Sequence, residues 1–330
     1  MLFKQEGHIL FIICVESSKT RGMGHLFRSL LYASYLDSIH EPYIVLINDD
    51  KGALDILESR NIPYRLVDFS DSSDWQTQVI SEYNADVWIE DKFETTIEMT
   101  QNIKKNHILL CAIDEFGPGA ELCDIHFAGM LYLTGHEVRG KKKYCGSEYV
   151  ILNPEIEKYK KSRSDVSNVI ISLGGSDPFG LTVEIVKEIS KFDYNVEIIV
   201  GPDFDYRDEL DEVNTRQYPV LQNVPSLIQV FSKFDFAITG GGVTCCEANS
   251  CGIPCIIFAN APHEVHTGNF MEKKGGAVYA GSYEGWDKDV LSKLNKLDIK
   301  QMSEAGMRTF DTKAIERIFT IIRQELRNEG

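Results

Sequence analysis

Ile9-Leu10-Phe11-Ile12-Ile13-Cys14-Val15-Glu16-Ser17-Ser18-Lys19-Thr20-Arg21-Gly22-Met23-Gly24-His25-Leu26-Phe27-Arg28 opens the chain with a strand, a glycine turn and a helix. The apolar run Ile9 to Val15 has strand length, and its lack of polar alternation suits a strand covered on both faces of a parallel sheet. Glycine lets a backbone come close to a ligand, and the free N–H groups of the helix that follows favour an anion. His25 and Arg28 lie three residues apart and share a helix face. An imidazole, with an ordinary pKa of about 6.5, suits a general base.

Working outward, the same pattern recurs. Apolar runs at Tyr43–Ile47, Val87–Ile89, Ile108–Ile113, Val169–Leu173, Val196–Val200, Phe236–Thr239 and Pro254–Phe258 alternate with helical segments such as Leu26–Leu36 and Val183–Ser190. Alternating β and α elements predict parallel sheets covered by helices. Residues 154–168 are polar and charged without a strand signal, as expected of a linker. The expected division is an N-terminal Rossmann-like domain over residues 1–153 and a C-terminal one over 169–330. Ile315, Ile318, Phe319, Ile322 and Leu326 predict a final helix, which could pack back on the first domain.

Three further motifs carry candidate chemistry. Leu173-Gly174-Gly175-Ser176-Asp177-Pro178 follows the first strand of the second half, with Ser176 or Asp177 suited to cap the next helix. Gly240-Gly241-Gly242-Val243-Thr244 is a mouth without side chains for a diphosphate, and Glu247, one turn on, can accept both hydroxyls of a ribose. Asn260 to Asn269 reads as a polar loop after a strand, in which His263, Glu264 and Asn269 are candidates for sugar or phosphate contacts. A zinc site from Cys245, Cys246, Cys251 and Cys255 is the sharper reading of the cysteines, but no Cys-x-x-Cys pair is present and reduced core thiols fit better. Neither metal nor cofactor is expected.

The 330 residues carry 34 Lys and Arg against 50 Asp and Glu, a net charge of −16. That balance argues against a nucleic-acid or anionic-membrane surface. The first apolar run is too short to span a bilayer and lacks the flanks of a signal peptide, so a cytoplasmic protein without membrane insertion is expected.

In this order and spacing, the motifs resemble the PseG family, the hydrolases of UDP-2,4-diacetamido-2,4,6-trideoxy-β-L-altropyranose in pseudaminic acid biosynthesis. They also resemble the related spore-coat polysaccharide proteins and, more broadly, GT-B glycosyltransferases. The resemblance implies a GT-B fold, two Rossmann-like domains with parallel sheets facing across a cleft that holds a UDP-sugar. It places the family's Gly-x-Gly-His on Gly22-Met23-Gly24-His25, with His25 as the catalytic base, and the ribose-binding Glu on Glu247. Its Gly-Gly-Ser/Thr-Asp loop falls on Gly174 to Asp177, and Tyr149 lies in a Gly-x-x-Tyr-x-x-Leu segment. The chain departs from the pattern at Cys14 and Glu16, at Asp91-Lys92-Phe93, at Asp114-Glu115, at Phe127-Ala128 and at His263-Glu264.

The expected activity is hydrolysis of a UDP-linked deoxyamino sugar. His25 activates water, Arg28 orients His25 or holds a sugar oxygen, and Glu16, Asp91 and Asp114 orient the water or steady positive charge. Gly174, Gly175, Ser176, Gly240, Gly241, Gly242, Val243, Thr244 and Glu247 are the expected UDP ligands. Gly22, Met23, Gly24, Tyr149, His263, Glu264 and Asn269 are the expected substrate contacts. A glycosyltransferase using an alcohol acceptor, or a binder without turnover, fits the same residues.

Overall fold

The computed structural model describes residues 7–17, 24–71, 73–175, 177–222, 224 and 226–329. They form two compact units.

The first unit is built on β1 (Phe11–Val15), α1 (Gly24–Ser38), β2 (Tyr43–Ile47), α2 (Lys51–Ser59), β3 (Tyr64–Leu66), α3 (Trp75–Tyr83), β4 (Val87–Asp91), α4 (Ile97–Lys104), β5 (Leu109–Ile113), β6 (Ile125–Ala128), α5 (Met130–Leu133) and β7 (Lys142–Cys145). Its seven strands run in the order β3-β2-β1-β4-β5-β6-β7, all parallel. β1 is buried throughout because it feeds two cores. Phe11, Ile13 and Val15 face Leu26, Leu30 and Ala33 of α1, whereas Leu10, Ile12 and Cys14 face Trp75, Val79 and Trp88. The last helix of the chain, Ala314–Glu329, belongs to this unit: Phe319 meets Phe11 edge-on at 5.3 Å and stacks on Tyr35 at 5.0 Å.

The second unit holds β8 (Asn168–Ser172), α6 (Leu181–Ile189), β9 (Asn195–Val200), α7 (Arg207–Val213), β10 (Val220–Gln222), α8 (Leu227–Phe231), β11 (Phe236–Thr239), α9 (Val243–Ser250), β12 (Cys255–Ala259), α10 (Pro262–Lys274), β13 (Ala277–Ser282), β14 (Gly285–Trp286) and α11 (Ile299–Thr309). Its sheet order is β10-β9-β8-β11-β12-β13-β14, parallel but for the β13–β14 pair. The charged stretch ahead of β8 is bound to this unit through a buried Arg163. That guanidinium donates to the carbonyls of Lys161, Cys251, Phe231 and Phe234, filling acceptors left open at the ends of α8 and α9.

In both sheets the strand order reverses beside the first strand, between β1 and β4 and between β8 and β11. Loops leaving the carboxyl ends of such neighbours diverge to opposite faces and open a crevice, the usual ligand position in α/β sheets. His25 lies in the helix that follows β1 and Asp91 ends β4, while Gly174-Gly175 leave β8 and Gly240-Gly241-Gly242 leave β11.

Candidate active site

In the first unit, α1 carries His25, Arg28 and Tyr32 on one face, since helix positions i, i+3 and i+7 line up. All three converge on Asp91, the fully buried last residue of β4. His25 Nδ1 lies 2.6 Å from Asp91 Oδ1. Arg28 Nε donates to Asp91 Oδ2 at 2.8 Å, and one terminal nitrogen reaches Oδ1. Tyr32 donates its hydroxyl proton to Oδ2 at 2.8 Å. Arg28 also donates to Asp114 Oδ2 at 2.7 Å, and the other oxygen of Asp114 accepts from Leu131 N at 2.9 Å. Asp114 pays for this reach with a left-handed backbone, φ +49°.

Burial opposes ionisation of Asp91, yet Arg28 and His25 hold its carboxyl well below the usual carboxylate range. An ionised Asp91 fixes the imidazole with its proton on Nδ1, which turns Nε2 into the acceptor, as a base requires. Phe93 packs edge-on against the His25 ring at 4.4 Å, and Phe116 lies 5.8 Å beyond. Arg28 is paired with two carboxylates, Asp91 and Asp114.

Glu16 lies just past β1, and Gly24 begins α1. Gly22, Met23 and Ser176 fall outside the described residues. The Tyr149 ring packs with Phe127 and Tyr144, with the Arg317 guanidinium over it at 6.0 Å.

In the second unit, Gly174 takes φ +99° just past β8 and a Cβ there or at Gly175 would meet open space. The next helix has Gly180 at its N-cap, but Asp177, three residues earlier, already fills its first N–H groups. Its carboxylate accepts from Leu181 N at 3.0 Å and Thr182 N at 2.8 Å. Pro178 lies in the preceding turn, ahead of the helix. The N-terminus of α9 also starts from a glycine N-cap, Gly242, with no side-chain cap. Val243 is exposed there, Thr244 is half-buried, and the buried Thr239 hydroxyl and Asn260 Oδ1 have no partner among the described residues. Burial alone raises the Glu247 carboxyl to about 7.

Residues 262–269 lie in α10, where a polar loop was expected. Pro262 starts the helix, and Glu264 reaches back to accept from Asn260 N at 2.7 Å. Glu264 thereby lies against the triple glycine: a Cβ on Gly241 would sit 2.7 Å from its Cβ. Asn269 is spent on the carbonyl of Val265, and His263 and His266 are exposed on the helix.

No family model matches the chain. It is 27% identical over 270 residues to an uncharacterized protein of Methanocaldococcus jannaschii, covering 74% of this chain and 54% of that one. It is 24% identical over 147 residues to the spore coat polysaccharide biosynthesis protein SpsG of Bacillus subtilis, covering 42% of this chain and 43% of that one. The chain spans about half the length of the curated relatives it matches. Among solved structures it is similar to MurG of Acinetobacter baumannii, with a TM-score of 0.70 at 12% identity, covering 95% of this chain and 99% of that chain. Anabaena HepE, solved in complex with UDP and glucose, gives 0.66 at 14% identity over 96% and 100%.

The fold is that of GT-B proteins.

Sequence reasoning missed Tyr32, although its spacing from His25 and Arg28 was a usable signal. It also missed a buried group on the other side of β4. Trp88 Nε1 donates to Glu90 Oε2 at 2.8 Å, and Lys92 Nζ lies 3.1 Å from Glu90 Oε1 and 4.2 Å from the centre of the Phe69 ring. Strand alternation separates these residues from Asp91. Among the described residues, no group of three His, Cys, Asp or Glu is placed to hold a metal, and no helix is long and apolar enough to cross a membrane.

Proposed function

We propose that this chain hydrolyses a UDP-linked deoxyamino sugar to free sugar and UDP, in the synthesis of a surface polysaccharide or a nonulosonic acid of the pseudaminic type. The observation that carries the reading is the 2.6 Å contact between His25 Nδ1 and Asp91, at the point where the sheet order reverses. His25 Nε2 takes a proton from water attacking the anomeric carbon, and UDP departs. The N–H groups at Gly242, Val243 and Thr244 meet the diphosphate charge, and Glu247 accepts the ribose hydroxyls. Support comes from the naming of the Bacillus relative for spore coat polysaccharide biosynthesis and from the UDP and glucose held by HepE.

The test is a panel of UDP-linked deoxyamino sugars in oxygen-18 water, read by mass spectrometry. Label in the free sugar supports attack by water at carbon, whereas label in UDP, or wild-type rates from His25→Ala, overturns the assignment.

One observation favours transfer as a second reading. Phe27, Phe93, Ile97, Phe116 and Tyr132 are exposed in segments that follow the carboxyl ends of β1, β4, β5 and β6. This is more apolar surface than water needs, and an alcohol acceptor could use it. UDP release that depends strictly on added acceptor would favour transfer.

A further inference from the structure

Asp91 ends β4 and Asp114 follows β5, 63 and 86 residues from Arg28 respectively, yet both must reach the same guanidinium. The segments that follow them are tied together by Glu115. Its Oε1 accepts from Thr95 N at 2.8 Å and from Gly117 N at 2.8 Å, and its Oε2 accepts from the Thr95 hydroxyl at 2.8 Å. Two backbone bonds extend the seam, Phe116 N to Phe93 O at 3.2 Å and Gly119 N to Thr95 O at 2.8 Å. The seam is tight, since a Cβ on Gly117 would lie 2.6 Å from Thr95 N and one on Gly119 would lie 2.4 Å from Thr100 Oγ1. The backbone of Glu115 is itself pinned: its N–H donates to His126 Nε2 at 3.1 Å, and His126 Nδ1 lies 2.6 Å from Arg139 O.

Glu115 is 1% exposed. A carboxyl placed there is costly to desolvate, and loop packing alone could be served by an apolar side chain. What an apolar side chain cannot do is hold Thr95 and Gly117 to one point. The same two segments carry Phe93 and Phe116, the rings beside His25.

We propose that Glu115 is a positioning residue for the His25 site: it latches the segment after β4 to the segment after β5, so that Asp91 and Asp114 grip Arg28 together. The inference rests on His25 acting as the base. Glu115 touches neither His25 nor substrate and acts through the two aspartates.

The test uses the full chain with Glu115→Ala, Glu115→Gln and Thr95→Val. Kinetics are measured on the UDP-sugar that the oxygen-18 panel shows to be turned over. The low-field proton signal of His25 Nδ1–H, assigned by its loss in His25→Ala, is followed by NMR. Gln can accept both N–H groups and donate to Thr95, so Glu115→Gln should stay within about threefold of wild type, while Glu115→Ala lowers kcat about 100-fold with little change in KM. The Nδ1–H signal should persist in Glu115→Gln and be lost or shifted in Glu115→Ala. Thr95→Val removes one hydroxyl, and should show the same pattern more weakly if Glu115→Ala does not fold.

Wild-type kcat and an unmoved signal in Glu115→Ala would overturn the latch, as would a Glu115→Gln protein as impaired as Glu115→Ala. If the wild type hydrolyses no UDP-sugar, the hydrolase reading fails, and the Nδ1–H signal alone still decides the latch.

Discussion

Tyr32 donates its hydroxyl proton to Asp91 Oδ2 at 2.8 Å, on the carboxylate whose other oxygen meets His25. Burial, followed by the Asp91 charge, pushes the Tyr32 phenol well above its ordinary pKa, so it stays a donor. With Arg28 it completes the set of donors that keeps Asp91 ionised and correctly turned.

Asp91→Asn should therefore be the most damaging conservative change. An amide cannot fix the Nδ1–H tautomer of His25, and a drop in kcat of about 10,000-fold is expected. Tyr32→Phe removes one bond to a charged acceptor, and should destabilise the fold by about 1.5–3 kcal/mol while leaving a measurable rate. Steady-state kinetics and thermal unfolding check both. Equal rates for the two variants would show that Asp91 does not act through the tautomer.

Stability should fall as pH rises from about 5 to 8. Burial, with the nearby charge of Glu90, raises the Glu115 carboxyl to about 8, and burial raises Glu247 to about 7. The unfolded chain releases both protons near the ordinary Glu value of about 4.3. Across that window these two carboxyls bind more protons in the folded state than in the unfolded one, so their stabilisation is fully present at the acid end and is lost as pH passes the folded values, while His126, shifted downward by burial, opposes them at the acid end. Asp91, shifted downward, contributes in the opposite sense, and only at strongly acid pH. Melting temperature against pH checks this, and Glu115→Gln should flatten the alkaline part of the slope.

The triple glycine carries two constraints that substitutions can separate. Gly241→Ala places a methyl 2.7 Å from Glu264 Cβ and 2.8 Å from its carbonyl oxygen, so the start of α10 must shift. Loss of stability in the second unit is expected, together with weaker UDP binding. Gly242→Ala meets only Glu264 Oε1 at 3.8 Å and should fold normally. If a diphosphate sits on the open end of α9, the added methyl weakens UDP binding in calorimetry without lowering the melting temperature. Unchanged affinity in Gly242→Ala would leave helix packing as the reason for the glycines.

Much of this was legible because parallel strands covered on both faces leave an unmistakable apolar run, as in Phe11–Val15 and Cys255–Ala259. The glycine turns were equally plain, and each follows a strand next to the reversal in its sheet. Short outer strands such as Tyr64–Leu66 and Val220–Gln222 left no such run, being half-exposed. β4 was read too short because its last two residues, Glu90 and Asp91, are carboxylates buried for opposite reasons: one pairs with Lys92, the other with Arg28 and His25. Arg163 looked like part of a solvated charge run, and only the fold brings it the carbonyls of Phe231 and Cys251. Contacts made across 60 or more residues write no periodicity into a sequence.

Glu247 gives the sharpest test of the proposed nucleotide site. It lies one turn into α9, and burial alone, with no hydrogen bond contributing, raises its carboxyl, which suits an acceptor for a ligand diol. An ionised carboxylate accepts two hydroxyls better than a protonated one. With its carboxyl raised to about 7, affinity for UDP should strengthen as pH climbs through neutrality, even as the unliganded fold loses stability. Glu247→Gln should remove that pH dependence and weaken UDP binding about tenfold, since one charge-assisted bond is replaced by a neutral one. 2′-Deoxy-UDP separates the ribose contact from a general effect of charge: it should lose affinity against wild type and lose little further against Glu247→Gln. A variant that discriminates the two nucleotides as strongly as wild type would remove Glu247 from the ribose.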